Sequence, residues 1–384
     1  DSPSGCILSN PRCGGQAAPS SATRRGGGRF DRHGVFSDMF DKLFSFLCSD
    51  LGIDLGTANV LVSMKDRGIV LAEPSVVAVR RGTNEVVPNG VGLEAKRMLG
   101  KTPANIQAIR PLKDGVIADF AVTEAMLKYF LRKVNRHAQF FHPRIVMAVP
   151  SGITAVEKKA VRQSAERAGA RKVYLVPEPE AAGVGVGLPV AEPVGSMICD
   201  IGGGTTEVAV LSLGDVVTYE SIRIAGDEMD EAIINHMKRT HNLMVGEQTA
   251  ERIKIEIGSA TPDHDQAAAE VCGRDIITGL PKKVTITGGE IREALSEPIS
   301  AIIAALKNTL ERTAPELAGD LVYNGMVLAG GGALLRGLDQ VIARETGIPC
   351  VKDDDPLTAV ARGTQLFVEN LDRWKDYLDD EDSG

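Results

Sequence analysis

Two stretches of similar sequence decide how this chain folds: residues 51–62, LGIDLGTANVLV, and residues 197–210, MICDIGGGTTEVAV. Each consists of an apolar strand, an Asp, a glycine-containing turn with Thr, and a second apolar strand. A supersecondary unit that recurs within one chain indicates an internal duplication. The sequence therefore predicts two similar halves, each beginning with a β-hairpin.

The remaining chain alternates apolar strand patterns with stretches of helical periodicity, which is typical of layered α/β domains. A length of 384 residues suits two domains. We place the first domain at residues 49–190 and the second at residues 191–375, with a C-terminal helix that returns to the first domain. Residues 376–384 form an acidic tail. No apolar run approaches the roughly 20 residues that a membrane-spanning helix needs.

The charge balance and the cysteines argue against several classes of function. A formal net charge of -8 does not fit a nucleic-acid-binding domain, which carries clustered Lys and Arg. The six cysteines are scattered without C-x-x-C pairs, so neither a zinc site nor a disulfide framework is predicted. A reducing cytoplasm fits this pattern best.

The first hairpin turn, Asp54 to Asn59, has the residues of a phosphate-binding loop. Gly56 lets the backbone approach an anion, Thr57 offers a hydroxyl donor, and Asp54 at the strand end can hold a hydrated Mg²⁺. An ordinary hairpin turn is the alternative, because Asp, Gly and Asn all favour turns.

The second hairpin turn strengthens the phosphate hypothesis, because Gly202, Gly203 and Gly204 are consecutive. Glycine loses the most backbone entropy on folding, so three in a row indicate that something approaches this backbone closely. Two such loops can clamp a polyphosphate, with Asp54 and Asp200 positioning the metal through water.

Two further features point to the same cleft. A third glycine cluster, residues 330–332, follows an apolar strand and is expected to open a helix and meet the nucleoside; a plain tight turn is the alternative. Glu178 precedes Pro179 at the end of another strand, where a carboxylate can orient and activate water. An exposed loop Glu is the alternative there.

Paired Asp-Gly-Thr hairpins with a late Gly-Gly-Gly turn resemble the superfamily of actin, sugar kinases and DnaK-type chaperones. Within it, the chain is similar to the MreB family almost continuously from residue 39 to about residue 374, through segments such as GIVLAEPSVVAV, IRPLKDGVIADF, TAERIKIEIG and LAGGGALLRGLD. The resemblance implies an α/β fold of two ribonuclease-H-like, actin-like domains around a central nucleotide cleft.

The resemblance also implies a role for each matching residue. ATP or ADP with Mg²⁺ is the implied cofactor, and Glu178, Thr205 and Asp200 are the implied catalytic residues, the first two placing the hydrolytic water. The two residues of AERIK that would hold ribose and adenine, Glu251 and Lys254, otherwise suggest only a surface ion pair. The implied phosphate contacts are Thr57, Ala58, Asn59, Gly202, Gly203 and Gly204, and the rest of the nucleoside pocket is Gly331, Gly332, Ala333 and Leu334.

The N-terminal region carries a different signal. Residues 1–38 are expected to be a disordered extension or the product of a mis-called start. Residues 39–48 carry an apolar stripe at helical spacing, and this helix either docks on the core or binds membrane. The family resemblance favours membrane binding by this helix and an adjacent apolar loop, through Phe40, Leu43, Phe44, Leu47, Phe140 and Phe141.

The resemblance implies a slow ATPase on the inner face of the cytoplasmic membrane. It would form antiparallel double protofilaments with itself, bind inner-membrane lipid and cell-wall elongation proteins, and maintain rod shape; no nucleic-acid partner is expected. The alternatives are a small-molecule kinase of the same superfamily and a chaperone-type ATPase. One departure stands out: Glu180 and Gly183 replace the expected Met and Ala, which predicts a second carboxylate near Glu178.

Overall fold

The structure is a computed structural model that describes residues 50–374, except 84, 114 and 135–141, together with Leu378. All described residues belong to one compact unit. The predicted N-terminal helix and the pair Phe140 and Phe141 lie outside the described residues, so the membrane residues stay a prediction. Among the described helices, none combines the length and the apolar character needed to cross a membrane.

The first half is built on a five-stranded sheet in the order β10-β9-β1-β2-β3. Its elements are β1 (Leu51–Leu55), β2 (Asn59–Met64), β3 (Gly68–Pro74), β4 (Val77–Arg80), β5 (Val86–Val91), α1 (Leu93–Met98), β6 (Ile106–Ile109), β7 (Leu112–Lys113), β8 (Val116–Ile117), α2 (Phe120–Val134), β9 (Arg144–Val149), α3 (Ala155–Ala168), β10 (Lys172–Pro177) and α4 (Glu178–Gly185).

The second half is built on a five-stranded sheet in the order β13-β12-β11-β17-β18. Its elements are β11 (Ser196–Ile201), β12 (Thr206–Ser212), β13 (Asp215–Ile222), α5 (Gly226–His241), β14 (Leu243–Met244), α6 (Glu247–Ile257), β15 (Ala268–Asp275), β16 (Pro281–Thr287), α7 (Gly288–Arg312), α8 (Pro315–Asn324), β17 (Met326–Ala329), α9 (Leu338–Thr346), β18 (Cys350–Lys352), α10 (Ala359–Glu369) and α11 (Leu371–Trp374).

The two sheets have the same topology. In each, the first strand of the duplicated hairpin is central: β1 pairs antiparallel with β2 and parallel with β9, and β11 pairs antiparallel with β12 and parallel with β17. The outer strands also correspond, since β3 and β13 are antiparallel additions while β10 and β18 are parallel ones. This match is the structural form of the duplication that the sequence predicts.

Each half has its own hydrophobic core, and a third cluster joins them. The central strands are buried on both faces, as the continuous apolar runs of such strands require. The joining cluster includes residues of β9 and β11 together with Phe367 of α10. The division into domains at residues 49–190 and 191–375 stays a prediction.

Helix α10 returns from the end of the chain to the first half. It packs against α4 at glycines on both helices: a Cβ on Gly185 would stand 1.9 Å from the Ala359 carbonyl oxygen, and a Cβ on Gly363 would stand 1.8 Å from that of Ala181. Its Thr364 also lies against Gly52 of β1. Since α4 begins at Glu178, this close packing fixes the position of that carboxylate.

Two smaller sheets extend the halves. Strands β5-β4-β6 form a three-stranded sheet in the first half, covered by α1, and β14-β15-β16 form another in the second half, beside α6. These additions bring α1 and α6 to opposite sides of one cleft, as the contacts below show.

Candidate functional site

A cavity of about 620 Å³ lies where the two duplicated hairpins meet, within the roughly 300–1,000 Å³ of small-molecule sites. Most of the predicted site residues line it. They are Asp54, Thr57, Ala58, Asn59, Glu178, Asp200, Gly202, Gly203, Thr205, Glu251, Lys254, Gly331, Gly332 and Leu334. The structure therefore brings together residues that are up to 280 positions apart in sequence (334 minus 54).

Two predicted site residues do not line the cavity. Gly204 is buried behind the second loop, and Ala333 is packed in the core with 2% exposure. Each stands in a run whose neighbours do face the cavity. The sequence analysis assigned every residue of each glycine segment to the site. In a tight turn, however, successive residues face different directions, so only some of them line the cavity.

The first loop, residues 56–58, is held by neighbouring backbone and hydroxyl groups. Ser75 Oγ donates to the Gly56 carbonyl oxygen at 2.6 Å, and the Ser75 amide donates to the Ala58 carbonyl oxygen at 2.9 Å. Thr57 Oγ1 accepts from the Gly115 amide at 3.3 Å, which leaves the hydroxyl proton of Thr57 free to donate. The loop is thus fixed before any ligand arrives.

The second loop touches the first. A Cβ on Gly203 would stand 2.6 Å from the Cβ of Ala58, so a side chain there would push the two halves apart. This contact supplies a packing reason for one of the three consecutive glycines. The two loops meet as a pair at the cavity.

Helix α5 begins directly against the second loop. The Gly226 amide donates to the Gly202 carbonyl oxygen at 3.2 Å, and the Asp227 amide donates to the Gly203 carbonyl oxygen at 2.7 Å. Lys254 Nζ donates to the Gly226 carbonyl oxygen at 2.6 Å and pairs with Asp230 at 2.8 Å. Lys254 is therefore anchored to α5 and does not pair with Glu251 of its own helix.

Three carboxylates at the bottom of the cavity, Asp54, Glu178 and Asp200, form what we call the acidic floor. Burial, and then the charge of Asp200, raise the pKa of Asp54 to about 8. Burial, and then the charge of Glu207, raise the pKa of Asp200 to about 7. Among the described residues, no Lys or Arg forms an ion pair with any member of the acidic floor. The floor is thus a cluster of acidic groups without a protein cation.

Glu207 is a fourth buried carboxylate, and its charge helps to raise the pKa of Glu178. Burial, followed by the charges of Glu207, Asp54 and Asp200, holds the pKa of Glu178 well above its usual range. Glu207 is 1% exposed, and its carboxylate accepts from the Ser221 hydroxyl and from the Ser151 amide at 3.2 Å. Sequence reasoning gave Glu207 no role, although it stands in the quoted second hairpin.

Glu180 occupies a different environment from the one predicted for it. It is buried, with 7% exposure, but it does not line the cavity. Its pKa is raised to about 7 by burial and then by the charge of Asp215. The prediction of a second carboxylate beside Glu178 is therefore wrong: two positions along α4 turn the side chain away from the cavity.

Across the top of the cavity, ion pairs join the two halves; we call Lys96, Arg110, Asp227 and Glu251 the charged rim. Lys96 Nζ lies 2.8 Å from Glu251 Oε1, and Arg110 Nη1 lies 2.7 Å from Asp227 Oδ2. These side chains are 25–35% exposed. Sequence reasoning missed Lys96, Arg110 and Asp227, because the pairing depends on two elements meeting across the cleft.

The third glycine cluster packs against the end of β11. Gly330 has φ of 78°, and a Cβ there would stand 2.3 Å from Asp200 Oδ1. The cluster continues as a single 3₁₀ turn, Gly331–Leu334, and α9 begins only at Leu338. The cluster therefore opens a 3₁₀ turn rather than an α-helix directly, and the glycines at 330 and 337, both with positive φ, bend the chain before α9 begins.

The chemistry of this cavity suits a polyphosphate with a divalent cation. The glycines in the two loops allow close approach of backbone donors to phosphate oxygens. Carboxylates are the ligands that Mg²⁺ prefers, and it keeps part of its water shell when bound. The acidic floor lacks a protein cation, so a Mg–nucleotide complex matches it in both charge and donor type.

Two similar sheets that enclose such a cleft between paired hairpin loops define an actin-like protein. The chain belongs to the MreB/Mbl family, whose model, described as MreB/Mbl protein, matches residues 48–376. It is 54% identical over 340 residues to the cell shape-determining protein MreB of Escherichia coli, covering 87% of this chain and 97% of that one. It is 52% identical over 324 residues to the cell shape-determining protein Mbl of Bacillus cereus, covering 84% and 97%.

Solved structures agree with this assignment. The crystal structure of MreB5 of Spiroplasma citri bound to AMPPNP superimposes with a TM-score of 0.81 at 36% identity, covering 86% of this chain and 98% of that one. The MamK double helical filament superimposes with a TM-score of 0.70 at 23% identity and supports the fold alone. The predicted actin-like α/β fold and the predicted family are confirmed.

Proposed function

We propose that this chain is a cytoskeletal ATPase that binds Mg–ATP between its two halves, hydrolyses it slowly, and assembles into filaments that determine cell shape. The observation that carries the proposal is the meeting of two glycine loops above the acidic floor. Neither half builds this arrangement alone, which fits a nucleotide that controls how the halves sit together.

The relatives support the nucleotide and the cellular role. Two relatives whose sequences are 52% and 54% identical to this chain are named cell shape-determining proteins. The MreB5 structures of Spiroplasma citri hold AMPPNP and ADP. A small-molecule kinase or a chaperone-type ATPase is not favoured, because the MreB and Mbl relatives described above are named for determining cell shape.

The residues divide the work of binding. The loop of Thr57, Ala58 and Asn59 and the loop of Gly202 and Gly203 hold the phosphates from opposite sides. Asp54 and Asp200 would hold Mg²⁺, and the ion would supply positive charge to neutralise the phosphate oxygens. Glu251 and Lys254, with the segment from Gly331 to Leu334, enclose the nucleoside.

Glu178 and Thr205 position and activate the attacking water. Both are buried and line the cavity. A general base acts best when its pKa is near the working pH, and burial moves the pKa of Glu178 upward in that direction. The helix contacts of α4 hold this carboxylate at one fixed place, which favours catalysis by positioning.

The filaments are antiparallel double protofilaments on the inner face of the cytoplasmic membrane. They bind lipid through the predicted helix at residues 39–48 and the Phe140 and Phe141 pair, and they organise cell-wall elongation proteins. This part of the proposal rests on the family and on the apolar stripe of the sequence.

Sedimentation tests the proposal. The full chain is pelleted with Mg–ATP, with Mg–ADP and with Mg²⁺ alone, while phosphate release is followed. The expected result is ATP-dependent pelleting with slow hydrolysis. A protein that stays monomeric in all three conditions, or transfers phosphate to a sugar, contradicts the proposal.

Liposome flotation tests the membrane part separately. Replacing Phe40 and Phe44 together by Asp should abolish liposome binding and leave pelleting without lipid unchanged. Lys42→Asp is the matched control, because it adds the same charge opposite the apolar stripe in the sequence pattern. Unchanged flotation of the Phe40 and Phe44 variant favours a helix docked on the core.

A further inference from the structure

A second group of potential ligands lies away from the nucleotide cavity, where α5 ends and α7 begins. His236 and His241 stand on the last turns of α5, and Glu290 stands on the first turn of α7. One ligand atom from each of these three residues lies within 4.8 Å of the other two. The proposed function uses none of the three.

Glu290 is held in place by the start of its own helix. Its Oε2 accepts from the Thr287 amide at 2.8 Å and from Thr287 Oγ1 at 3.0 Å, in a capping box. Its Oε1 faces His241 Nε2 at 2.7 Å. One carboxylate oxygen is therefore fixed by the cap while the other is presented to the histidines, as outer partners orient metal-binding carboxylates.

His236 brings a nitrogen that lacks a partner. Its Nε2 is buried, and no described residue makes a hydrogen bond to it. A buried polar atom left unsatisfied costs about 1–3 kcal/mol. The ring centroids of His236 and His241 are 6.3 Å apart, with the rings tilted by 58°. One ring nitrogen of His236 lies within 4.8 Å of the ligand atoms of His241 and Glu290, so an ion shared by the three residues would give this imidazole a partner.

We infer that His236, His241 and Glu290 form a binding site for a divalent transition metal of the zinc class. Two imidazoles and one carboxylate suit Zn²⁺, Co²⁺ and Ni²⁺, whereas Mg²⁺ prefers oxygen ligands alone. Tetrahedral ligands about 2.0–2.2 Å from zinc stand about 3.3 Å apart, so the His241 and Glu290 atoms separate by about half an ångström on binding. Water completes the coordination.

The position of this site gives it a structural effect. The metal would link the C-terminal end of α5 to the N-terminal end of α7. Strand β16 joins the link, because Lys282 Nζ donates to the His241 carbonyl oxygen at 2.9 Å. The other end of α5 abuts the second glycine loop, so the site would stiffen the helix that borders the nucleotide cavity.

Zinc titration tests the inference on the full chain, after chelator treatment and without nucleotide. Zn²⁺ is titrated in competition with a chromogenic chelator, and thermal unfolding is recorded with and without Zn²⁺. We expect one equivalent whose affinity falls at least about tenfold in His236→Gln and in Glu290→Gln, since even outer-shell changes cost about 10–100-fold. The thermal stabilisation by Zn²⁺ should shrink with it.

Glu290→Gln is the sharper variant, because Gln preserves a capping box and so retains the helix start. His264→Gln is the matched control, since His264 lies outside the cluster. Equal zinc affinity and stoichiometry in the wild type and in both cluster variants would overturn the inference.

Cobalt substitution identifies the ligands directly. Bound Co²⁺ should show tetrahedral visible bands without thiolate charge-transfer absorption, and His236→Gln should remove them. Thiolate absorption in the wild type, as from the exposed Cys272, would also overturn the inference. Nucleotide hydrolysis is not part of either measurement, so failure here is distinct from failure of the proposed ATPase.

Discussion

The acidic floor and the charged rim belong to the same cavity, but the acidic groups of the floor have no cationic partner whereas those of the rim are ion-paired. The floor places Asp54, Glu178 and Asp200 in a buried position without a protein cation, and the pKa values of all three are raised. The rim joins acids of the second half to bases of the first half at 2.7 and 2.8 Å, with partial exposure. The floor holds unpaired acidic groups whose ionisation is disfavoured, whereas the rim holds paired charges.

This difference suggests separate roles for the two regions, one in ligand binding and the other in closure of the cleft. Burying carboxylates without a partner opposes their ionisation, so the floor stabilises the protein fully only when a cation arrives. The rim ion pairs form without a ligand, but partly exposed ion pairs contribute only about 0–1 kcal/mol each to stability. We therefore expect the floor to govern nucleotide chemistry and the rim to adjust how fast the cleft opens.

Glu178→Gln should produce the largest effect. ATP turnover should fall at least about tenfold and by as much as about 10⁴-fold, the upper range for general-base groups, while Mg–ADP affinity changes little. Glu180→Gln is the control, because it removes a buried carboxylate two positions away that does not line the cavity. Equal turnover of Glu178→Gln and the wild type in a phosphate-release assay would remove Glu178 from the mechanism.

Asp54→Asn should stabilise the nucleotide-free protein at pH 8. With a pKa of about 8 in the folded state and about 3.9 when unfolded, Asp54 binds more protons when folded, so its contribution to stability is lost as the pH rises from about 4 to 8. The variant avoids this loss, and Tm should rise by about 2–4 °C for each kcal/mol recovered. Stabilisation by Mg–ADP should fall.

Asp50→Asn is the control for that prediction, because it should change Tm in the opposite direction. Asp50 is buried, with 6% exposure, and stands just before β1, but its carboxylate accepts from Arg144 Nε at 3.1 Å. Asp50→Asn removes this buried charge-assisted hydrogen bond, so Tm should fall at pH 8. Differential scanning calorimetry compares the two variants, and the same sign of change in both would refute the contrast between paired and unpaired carboxylates.

Lys96→Ala and Arg110→Ala should have the smallest effects. Loss of about 0.5–1 kcal/mol of cross-cleft pairing predicts release of a fluorescent ADP analogue about two- to fivefold faster, with a smaller difference at high salt. Arg252→Ala is the control, because Arg252 pairs with Glu256 of its own helix α6 at 2.6 Å. A release rate that matches the control in stopped-flow fluorescence would show that the rim does not hold the cleft closed.

The duplicated hairpins explain why so much of the fold was predictable from sequence. Their strands carry continuous apolar runs that end at Asp and Gly, so strand ends, turns and the pairing of the two halves are all encoded locally. The acidic residues at those ends, Asp54 and Asp200, were predicted for the same reason. The stretches of helical periodicity are likewise a local signal, and α5 and α6 are among the helices that the structure contains.

The features that sequence did not predict depend on distant parts of the chain. Arg110 meets Asp227 only because two lobes face each other, and no local pattern encodes that meeting. Glu180 was expected near Glu178 from its closeness in sequence, but it does not line the cavity. The contact of Gly203 with Ala58 likewise joins residues from different halves.

Proton release on nucleotide binding tests most directly whether the acidic floor takes a divalent cation. At pH 7.5 Asp54, with a pKa of about 8, is mostly protonated before binding, and a bound cation favours its ionised form. Titration calorimetry with Mg–ADP in excess Mg²⁺, repeated in buffers of different ionisation enthalpy, should show release of about one proton per nucleotide, and less in Asp54→Asn. Binding with no proton release in the wild type would contradict the account.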